Sequence, residues 1–280
     1  MTEKTIAAEL RQRIAKDVGQ MSTPPGLAVI LVGDDPASHV YVGNKVKACE
    51  QAGIKSYESR LPEKATQAEV QAEIDAFNRN PNVHGILLQL PVPAHLDSDK
   101  LVQSIAAAKD VDGLSFINQG KLIAGDNSGL VPCTPQGSLK LIKSVKEDLS
   151  GLNAVVIGRS LLFGKPMAQL LLQENCTVTQ AHSRTKNLAE VCAQADILVA
   201  AVGREKMVKS SWVKDGAIVI DVGINRMKNG KLCGDVDFDD VIEKVGAITP
   251  VPGGVGPMTI ACLLDNTLKA AKNAAIKKAA

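Results

Sequence analysis

Val155-Val156-Ile157 runs straight into Gly158, and Gly164-Lys165-Pro166 then leads into the helix-forming run Met167-Ala168-Gln169-Leu170-Leu171-Leu172. Three β-branched residues ending at a glycine read as a buried parallel strand that closes in a tight turn. Pro166 suits a first helical turn, where its missing N–H costs nothing. A strand, a glycine turn and a helix start together make an anion site, because free N–H groups and the positive end of the helix dipole face the loop. Arg159 and Ser160 add a fixed charge and a hydroxyl to it. The spacing departs from G-x-G-x-x-G, so the residues alone leave two readings: a dinucleotide site, or an ordinary strand-to-helix connection.

The rest of the chain repeats this alternation. Ile6, Leu10, Ile14 and Val18 recur every four residues, giving a helix with one apolar stripe that stops near Gly19. Leu27–Val32 is an apolar strand closed by Gly33 and by the turn residues Asp34, Asp35 and Pro36. Ser38 is a candidate cap for a helix running to about Ala52. Lys55–Leu61 alternates weakly as a strand, and Thr66-Gln67-Ala68-Glu69 is a capping box for a helix ending before Pro81. Val83–Leu90 reads as a strand and Ser98–Ala107 as a short helix, whereas Lys109–Pro135 reads as a loop. Thr134-Pro135 then opens a helix through about Glu147. Strands follow at Asn153–Ile157, Thr177–Gln180, Ile197–Ala201, Ala217–Asp221 and Ala247–Thr249, with a hairpin turn at Lys228–Lys231. Pro250–Pro257 is a turn-dense loop before a last helix, Met258 to about Lys272, long enough to return to the first half; the Ala/Lys-rich end reads as frayed. The pattern predicts an α/β chain of two domains with parallel sheets: residues 1–134, completed by 261–280, and a Rossmann-like domain over residues 135–260.

Composition narrows the function. Aromatics make up 2% of the 280 residues, too few for base-stacking platforms. The 32 basic and 30 acidic residues leave a net charge of +2, which argues against a nucleic-acid or membrane-surface partner. No apolar run reaches the roughly 20 residues of a membrane span. Met1-Thr2-Glu3-Lys4 opens an amphipathic segment carrying an acid, unlike a signal peptide. Six scattered cysteines without a C-x-x-C read as reduced core residues of a cytoplasmic protein, and four unpaired histidines predict no metal site.

Five places bear chemistry. The turn Gly158-Arg159-Ser160 is the first. Its partner is the end of the next strand, Gln180-Ala181-His182-Ser183-Arg184, which has no acid for a ribose 2′-hydroxyl; a hydroxyl and an arginine suit a 2′-phosphate, so NADP is favoured over NAD. Tyr41 and Lys45 share a helix face, either as a ring beside a catalytic amine or as a solvated lysine over an exposed tyrosine. Gln89 ends an apolar strand where ligands sit in open α/β sheets. Lys109-Asp110-Val111-Asp112-Gly113 holds carboxylates that form turns or accept paired hydrogen bonds from a heterocycle. The glycines of Pro250–Pro257 allow close backbone approach.

In this order, Tyr41-Val42-x-x-Lys45, Gln89-Leu90-Pro91-Val92-Pro93, Lys109–Gly113, Pro132-Cys133-Thr134-Pro135, Gly158-Arg159-Ser160 and Thr249–Pro257 resemble the bifunctional methylenetetrahydrofolate dehydrogenase/cyclohydrolases over nearly the whole chain. One departure is Phe163, where that family's phosphate turn usually carries valine. The resemblance implies an N-terminal folate-binding domain whose cleft faces an NADP-binding domain, and a homodimer formed through the cofactor domains. It also implies a place in the one-carbon metabolism that feeds purine, methionine and histidine synthesis. Hydride would pass from 5,10-methylenetetrahydrofolate to NADP, and the methenyl product would be hydrolysed to 10-formyltetrahydrofolate. By the match, Lys45 is the central catalytic residue, Gln89 tunes it, Tyr41 stacks on folate and Asp112 holds the pterin. Leu90, Pro91, Pro252, Gly253 and Gly254 line the substrate, while Gly158, Arg159, Ser160, Ser183, Arg184 and Ile224 take the cofactor.

The residues fit that chemistry. Hydride transfer needs two aligned rings, and the folate nitrogens stabilise the cation. Hydrolysis needs a group to move a proton between water and the departing nitrogen, which an amine supplies. Two other readings stand beside it. A dehydrogenase of amino or hydroxy acids would need cationic groups for a carboxylate. A silent NADP sensor would have no use for Lys45, Gln89 and Asp112.

Overall fold

The computed structural model describes residues 3–279. Met1 and Thr2, the start of the expected N-terminal segment, and Ala280, the last of the Ala/Lys-rich end, lie outside the described residues. The chain divides into two compact units. The first comprises Ala8–Cys133 and Ile260–Ala280, and the second Thr134–Thr259 with the chain up to Ala7.

The first unit contains, in chain order, α1 (Glu3–Gly19), β1 (Gly26–Val32), α2 (Pro36–Gln51), β2 (Lys55–Leu61), α3 (Gln67–Arg79), β3 (Gly85–Leu88), α4 (Ser98–Ser104) and α5 (Phe116–Ile123). Its three strands are parallel in the order β2-β1-β3. β1 is buried along its whole length, as a central parallel strand must be, and this explains its unbroken apolar run. On one face Ala28, Ile30 and Val32 pack with Ile86 and Leu88 and with Val70 and Ile74 of α3. Burying each larger aliphatic side chain contributes about 1.5–3 kcal/mol. The capping box of α3 is formed: Thr66 N donates to Glu69 Oε2 at 2.7 Å, and Glu69 N donates to Thr66 Oγ1 at 3.3 Å.

Three expectations change in this unit. Asp35, not Ser38, caps α2: its Oδ2 accepts from both Ser38 N and Ser38 Oγ at 2.8 Å, because a carboxylate is the stronger acceptor. β3 is shorter than the apolar run, although Gln89 N still donates to Ile30 O at 2.9 Å. The segment Lys109–Pro135 is not a plain loop. Asp110 bridges in parallel to Ile86, and α5 follows, capped by Ser115. Asn118 and Gln119 resemble loop formers, but both are buried and spend their amides on Ala107 O and Gly113 O.

The second unit contains α6 (Cys133–Val145), β4 (Asn153–Ile157), α7 (Gly164–Gln173), β5 (Thr177–Ala181), α8 (Leu188–Cys192), β6 (Ile197–Ala200), β7 (Ile218–Asp221), β8 (Asn225–Arg226), β9 (Leu232–Cys233), α9 (Phe238–Val241), β10 (Ala247–Ile248) and the start of α10 (Val255–Ala279), which from Ile260 on belongs to the first unit. Its main sheet is five-stranded and parallel, ordered β10-β7-β6-β4-β5. β8 and β9 form the expected antiparallel hairpin. α6 and α10 each pass from one unit to the other along the chain. α10 begins inside the Pro250–Pro257 stretch, since Pro257 at the third helical position lacks only an N–H that would have no helical partner there. It continues to Ala279, so the Ala/Lys-rich end is helical. Of the described residues, those from Glu3 to Ala7 belong with the second unit, where Ile6 lines a small cavity of about 50 Å³ with Leu141, Val145, Ile218 and Ile248.

Thr66→Ala removes the acceptor for Glu69 N and destabilises the first unit by about 1 kcal/mol. Urea unfolding followed at that unit measures it, and an unchanged midpoint would show that the capping box contributes nothing.

Candidate active site

In the first unit the site begins on α2. Pro36 at its start and the Asp35 cap set the helix, and Val42 and Cys49, at 1% and 0% exposure, hold one face in the core. The neighbouring face carries Tyr41, 45% exposed, and Lys45, half-buried one turn later. Lys45 Nζ donates to Gln89 Oε1 at 3.0 Å. Gln89 is buried at the end of β3, and its Nε2 donates to Leu90 O at 2.6 Å. That second bond decides which end of the amide meets the lysine, so the amine faces a neutral acceptor. The Leu90–Pro91 peptide that follows is cis.

Asp112 is the second acid of the Lys109–Gly113 segment. Burial pushes its carboxyl above the usual range; the charge of Lys45 and a hydrogen bond from the Cys133 thiol pull it down, and Asp110 pushes it up. The two aspartates of Lys109–Gly113 differ in their surroundings. Asp110, 1% exposed, accepts from Leu114 N at 3.1 Å, Ser115 N at 2.7 Å and Asn118 Nδ2 at 2.9 Å, so it is the turn former. Lys45 and Gln89 form a hydrogen-bonded pair of amine and amide, with Tyr41 one helical turn from the amine, and the charge of Lys45 is felt at the Asp112 carboxyl.

In the second unit the turn after β4 has Gly158 at φ 140°, where a Cβ would lie 2.7 Å from Ala201 O. The Gly158 carbonyl lies against Gly164, which has no room for a side chain. Ser160 Oγ accepts from Phe163 N at 3.1 Å and Gly164 N at 3.4 Å, so the hydroxyl organises the start of α7. Phe163 is 5% exposed and its carbonyl accepts from Met167 N at 2.9 Å; the larger ring is accommodated in the core. Arg159, Ser160, Ser183 and Arg184 are exposed at the carboxyl ends of β4 and β5, and Ile224 is exposed in the turn after β7. Gln180 Nε2 donates to Gly158 O at 3.0 Å and ties the two strand ends together. These groups suit a phosphate-bearing dinucleotide: exposed cations and a hydroxyl surround a glycine turn at a helix start.

Comparison with known proteins agrees with both halves. Residues 1–112 match the model of the tetrahydrofolate dehydrogenase/cyclohydrolase catalytic domain, and residues 132–275 match that of the family's NAD(P)-binding domain. The chain belongs to the tetrahydrofolate dehydrogenase/cyclohydrolase family. It is 58% identical to the bifunctional protein FolD 2 of Rhizobium etli, over 97% of this chain and 95% of that one. It is 57% identical to the bifunctional protein FolD of Cereibacter sphaeroides, over 95% of this chain and 92% of that protein. The crystal structure of the bifunctional FolD enzyme from Campylobacter jejuni is 48% identical, with a TM-score of 0.94 over 97% of each chain. The Trypanosoma brucei dehydrogenase-cyclohydrolase, solved with NADP cofactor and an inhibitor, is 34% identical; the TM-score is 0.92 over 98% of this chain and 97% of that one. The chain is therefore an enzyme of this bifunctional family. Among the described residues no helix is long and apolar enough to cross a membrane.

Within this family member, Tyr41, Lys45, Gln89, Leu90, Pro91 and Asp112 belong to the first unit. Pro252, Gly253 and Gly254 belong to the second, in a loop with a cis Val251–Pro252 peptide. Sequence reasoning missed two buried acids. Asp235, 0% exposed, accepts from Val202 N at 2.7 Å, Gly203 N at 3.0 Å, Arg204 N at 2.8 Å and Asn225 Nδ2 at 2.9 Å. Asp221, at the end of β7, accepts from Gly223 N at 3.0 Å, Asp235 N at 2.9 Å and Val236 N at 2.8 Å. They hold the loops after β6 and β7, where Ile224 lies. The signal was an acid ending an otherwise apolar strand, with Gly223 and Gly234 packed against the carboxyl groups.

Burial pushes Asp221 up to about 6, against the N–H bonds that favour its anion. A carboxyl raised in the folded state stabilises the fold fully at pH below its unfolded value and loses that contribution as pH rises through the folded one. Asp221 therefore gives up on the order of 3 kcal/mol between about pH 4 and pH 7. In Asp221→Asn this component vanishes, so the stability gap between wild type and variant narrows over that interval. Unfolding curves across the range test it; a constant gap would mean that the carboxyl does not titrate there.

Proposed function

We propose that the first unit binds tetrahydrofolate derivatives around Tyr41, Lys45, Gln89 and Asp112, and that the second binds NADP through Gly158, Arg159, Ser160, Ser183, Arg184 and Ile224. The enzyme oxidises 5,10-methylenetetrahydrofolate to the 5,10-methenyl compound and hydrolyses that to 10-formyltetrahydrofolate. The Lys45–Gln89 hydrogen bond beside Asp112 is the observation that carries the assignment. NADP, when bound, accepts the hydride. The protein's own part in that step is to align two rings, which is a proximity task. Tyr41 stacks on the folate, and Asp112 accepts paired hydrogen bonds from the pterin. Leu90, Pro91, Pro252, Gly253 and Gly254 supply apolar surface and backbone to the substrate.

Hydrolysis asks more of the chain. Lys45 is the group that moves a proton between the attacking water and the departing nitrogen. Gln89 holds that amine without placing a negative charge beside it. The T. brucei relative's NADP complex supports the cofactor choice, as do the exposed Arg159, Ser183 and Arg184 and the lack of an acid at the end of β5. The same reading makes the protein a cytoplasmic homodimer paired through its cofactor units, consistent with β5 lying at the edge of their sheet.

Lys45→Met keeps length and apolar bulk but has no basic nitrogen. Hydrolysis of supplied methenyltetrahydrofolate falls by at least about 100-fold, the scale of a lost proton-transfer group, while a measurable fraction of NADP-dependent oxidation survives. Near-normal hydrolysis in the folded variant would transfer the proton to another group. Arg159→Ala weakens a charge-assisted phosphate contact, which is worth about 1.5–3 kcal/mol. The Michaelis constant for NADP then rises far more than that for NAD, and equal effects on the two cofactors would rule out a 2′-phosphate contact.

A further inference from the structure

Asp112 stands between two residues whose carbonyls are each held by a buried side-chain amide. Before it, Asn266 Nδ2 donates to Val111 O at 2.8 Å. The same nitrogen donates to Val131 O at 2.8 Å, so one amide joins the two ends of the segment from 111 to 131. After it, Gln119 Nε2 of α5 donates to Gly113 O at 2.8 Å. Asn266 is 2% exposed and Gln119 7%. Asn266 lies on the part of α10 that belongs to the first unit, so all these groups share one unit. The Cys133 thiol adds a weaker donor to Val111 O at 3.2 Å. Gly113 is tightly enclosed as well: its φ is 71°, and a Cβ there would lie 2.6 Å from Pro132 N and 2.8 Å from Leu130 O. Both amides thus act on the backbone that carries Asp112.

We propose that Asn266 and Gln119 are positioning residues for folate binding: their amides fix the backbone on either side of Asp112 and so the direction in which its carboxyl meets the pterin. The inference rests on the reading of Asp112 as the pterin's acceptor. Peptide groups are planar, so only the φ and ψ angles of Asp112 and Gly113 lie between the two held carbonyls. Paired hydrogen bonds to a planar heterocycle weaken steeply with misalignment, and a small turn of this backbone loses both at once. Releasing either carbonyl frees the carboxyl to turn. The pterin contact is the same before and during the reaction, so its loss falls on the Michaelis constant for the folate and not on kcat. The phosphate turn of the second unit is untouched.

The test measures kcat and the Michaelis constants for 5,10-methylenetetrahydrofolate and NADP in wild type, Asn266→Leu, Gln119→Met, Thr267→Val and Asp112→Asn. The first two variants keep side-chain bulk and remove the amide. Thr267 is the control: it follows Asn266 on α10, is 0% exposed, and its Oγ1 donates to Leu263 O at 2.8 Å within the helix. In Asn266→Leu and Gln119→Met the constant for the folate rises about tenfold, the scale of one hydrogen bond lost at the pterin. The constant for NADP is unchanged, and kcat at saturating folate stays within about twofold. Thr267→Val loses stability in urea without raising the folate constant. Asn266→Ala and Gln119→Ala report the same rise should the bulkier variants fold poorly. An unchanged folate constant in the folded variants overturns the proposal. An equal rise in Thr267→Val, or a parallel rise for NADP, also overturns it, because either would mark a merely structural loss. Asp112→Asn binds the folate weakly. Normal folate affinity there removes the reading of Asp112 and this inference with it; weak binding there beside unchanged amide variants overturns this inference alone.

Discussion

Buried carboxylates wrapped in backbone N–H groups hold both units of this enzyme together where their sites lie. Parallel strands end in loops, and a loop beside a sheet has N–H groups that neither ladder nor water satisfies. Each such group left unpaired costs about 1–3 kcal/mol. Asp110 answers this in the first unit, with two backbone N–H groups and the Asn118 amide. Asp235 answers it in the second, with three successive backbone N–H groups and the Asn225 amide. A carboxylate has room for about four such bonds, so one side chain can fasten a whole turn. Asp112 and Ile224 stand next to turns fastened in this way.

The same economy of charge governs the reactive cluster. Lys45 is held by an amide, and its direction is forced because the other end of Gln89 is committed to Leu90 O. A carboxylate in that place would add a negative charge where the amide adds none. Burial raises the carboxyl of Asp112 above its usual range, with the charge of Lys45 opposing. Amine and amide are therefore bound to each other through a neutral acceptor and not through an ion pair.

Much of this was legible in the residues and some was not. The apolar runs of β1, β4, β6 and β7 announced buried parallel strands, Thr66–Glu69 announced its helix, and Asn229-Gly230 its hairpin. These are local signals, carried within a few residues. α5 was hidden because Asn118 and Gly120 look like loop residues until Asp110 and Ala107 O are brought to meet the Asn118 amide. The residues around Asp110 and Asp112 likewise gave no means of separating a turn former from a ligand group, since the difference lies in what each carboxylate faces after folding. Lys45 and Gln89 are 44 positions apart, and Asn266 and Val111 are 155 apart. No periodicity carries information over such distances. The resemblance of whole motifs supplied what spacing could not.

The turn after β4 shows why spacing alone left two readings. In the usual fingerprint separate glycines permit the tight turn, the ligand's approach and the packing of helix on strand. Here Gly158 has a backbone angle that side chains rarely adopt, and its carbonyl folds over the first residue of α7, so Gly164 must also lack a side chain. Ser160 Oγ takes the N–H groups of Phe163 and Gly164, and Gln180 secures the Gly158 carbonyl from the neighbouring strand. Two glycines, a hydroxyl and an amide thus build the turn, and a longer glycine separation follows from the path of the carbonyl. The physical requirements of an anion at a helix start are met without the familiar letters, and Phe163 is tolerated because its ring lies in the core while its backbone forms the turn.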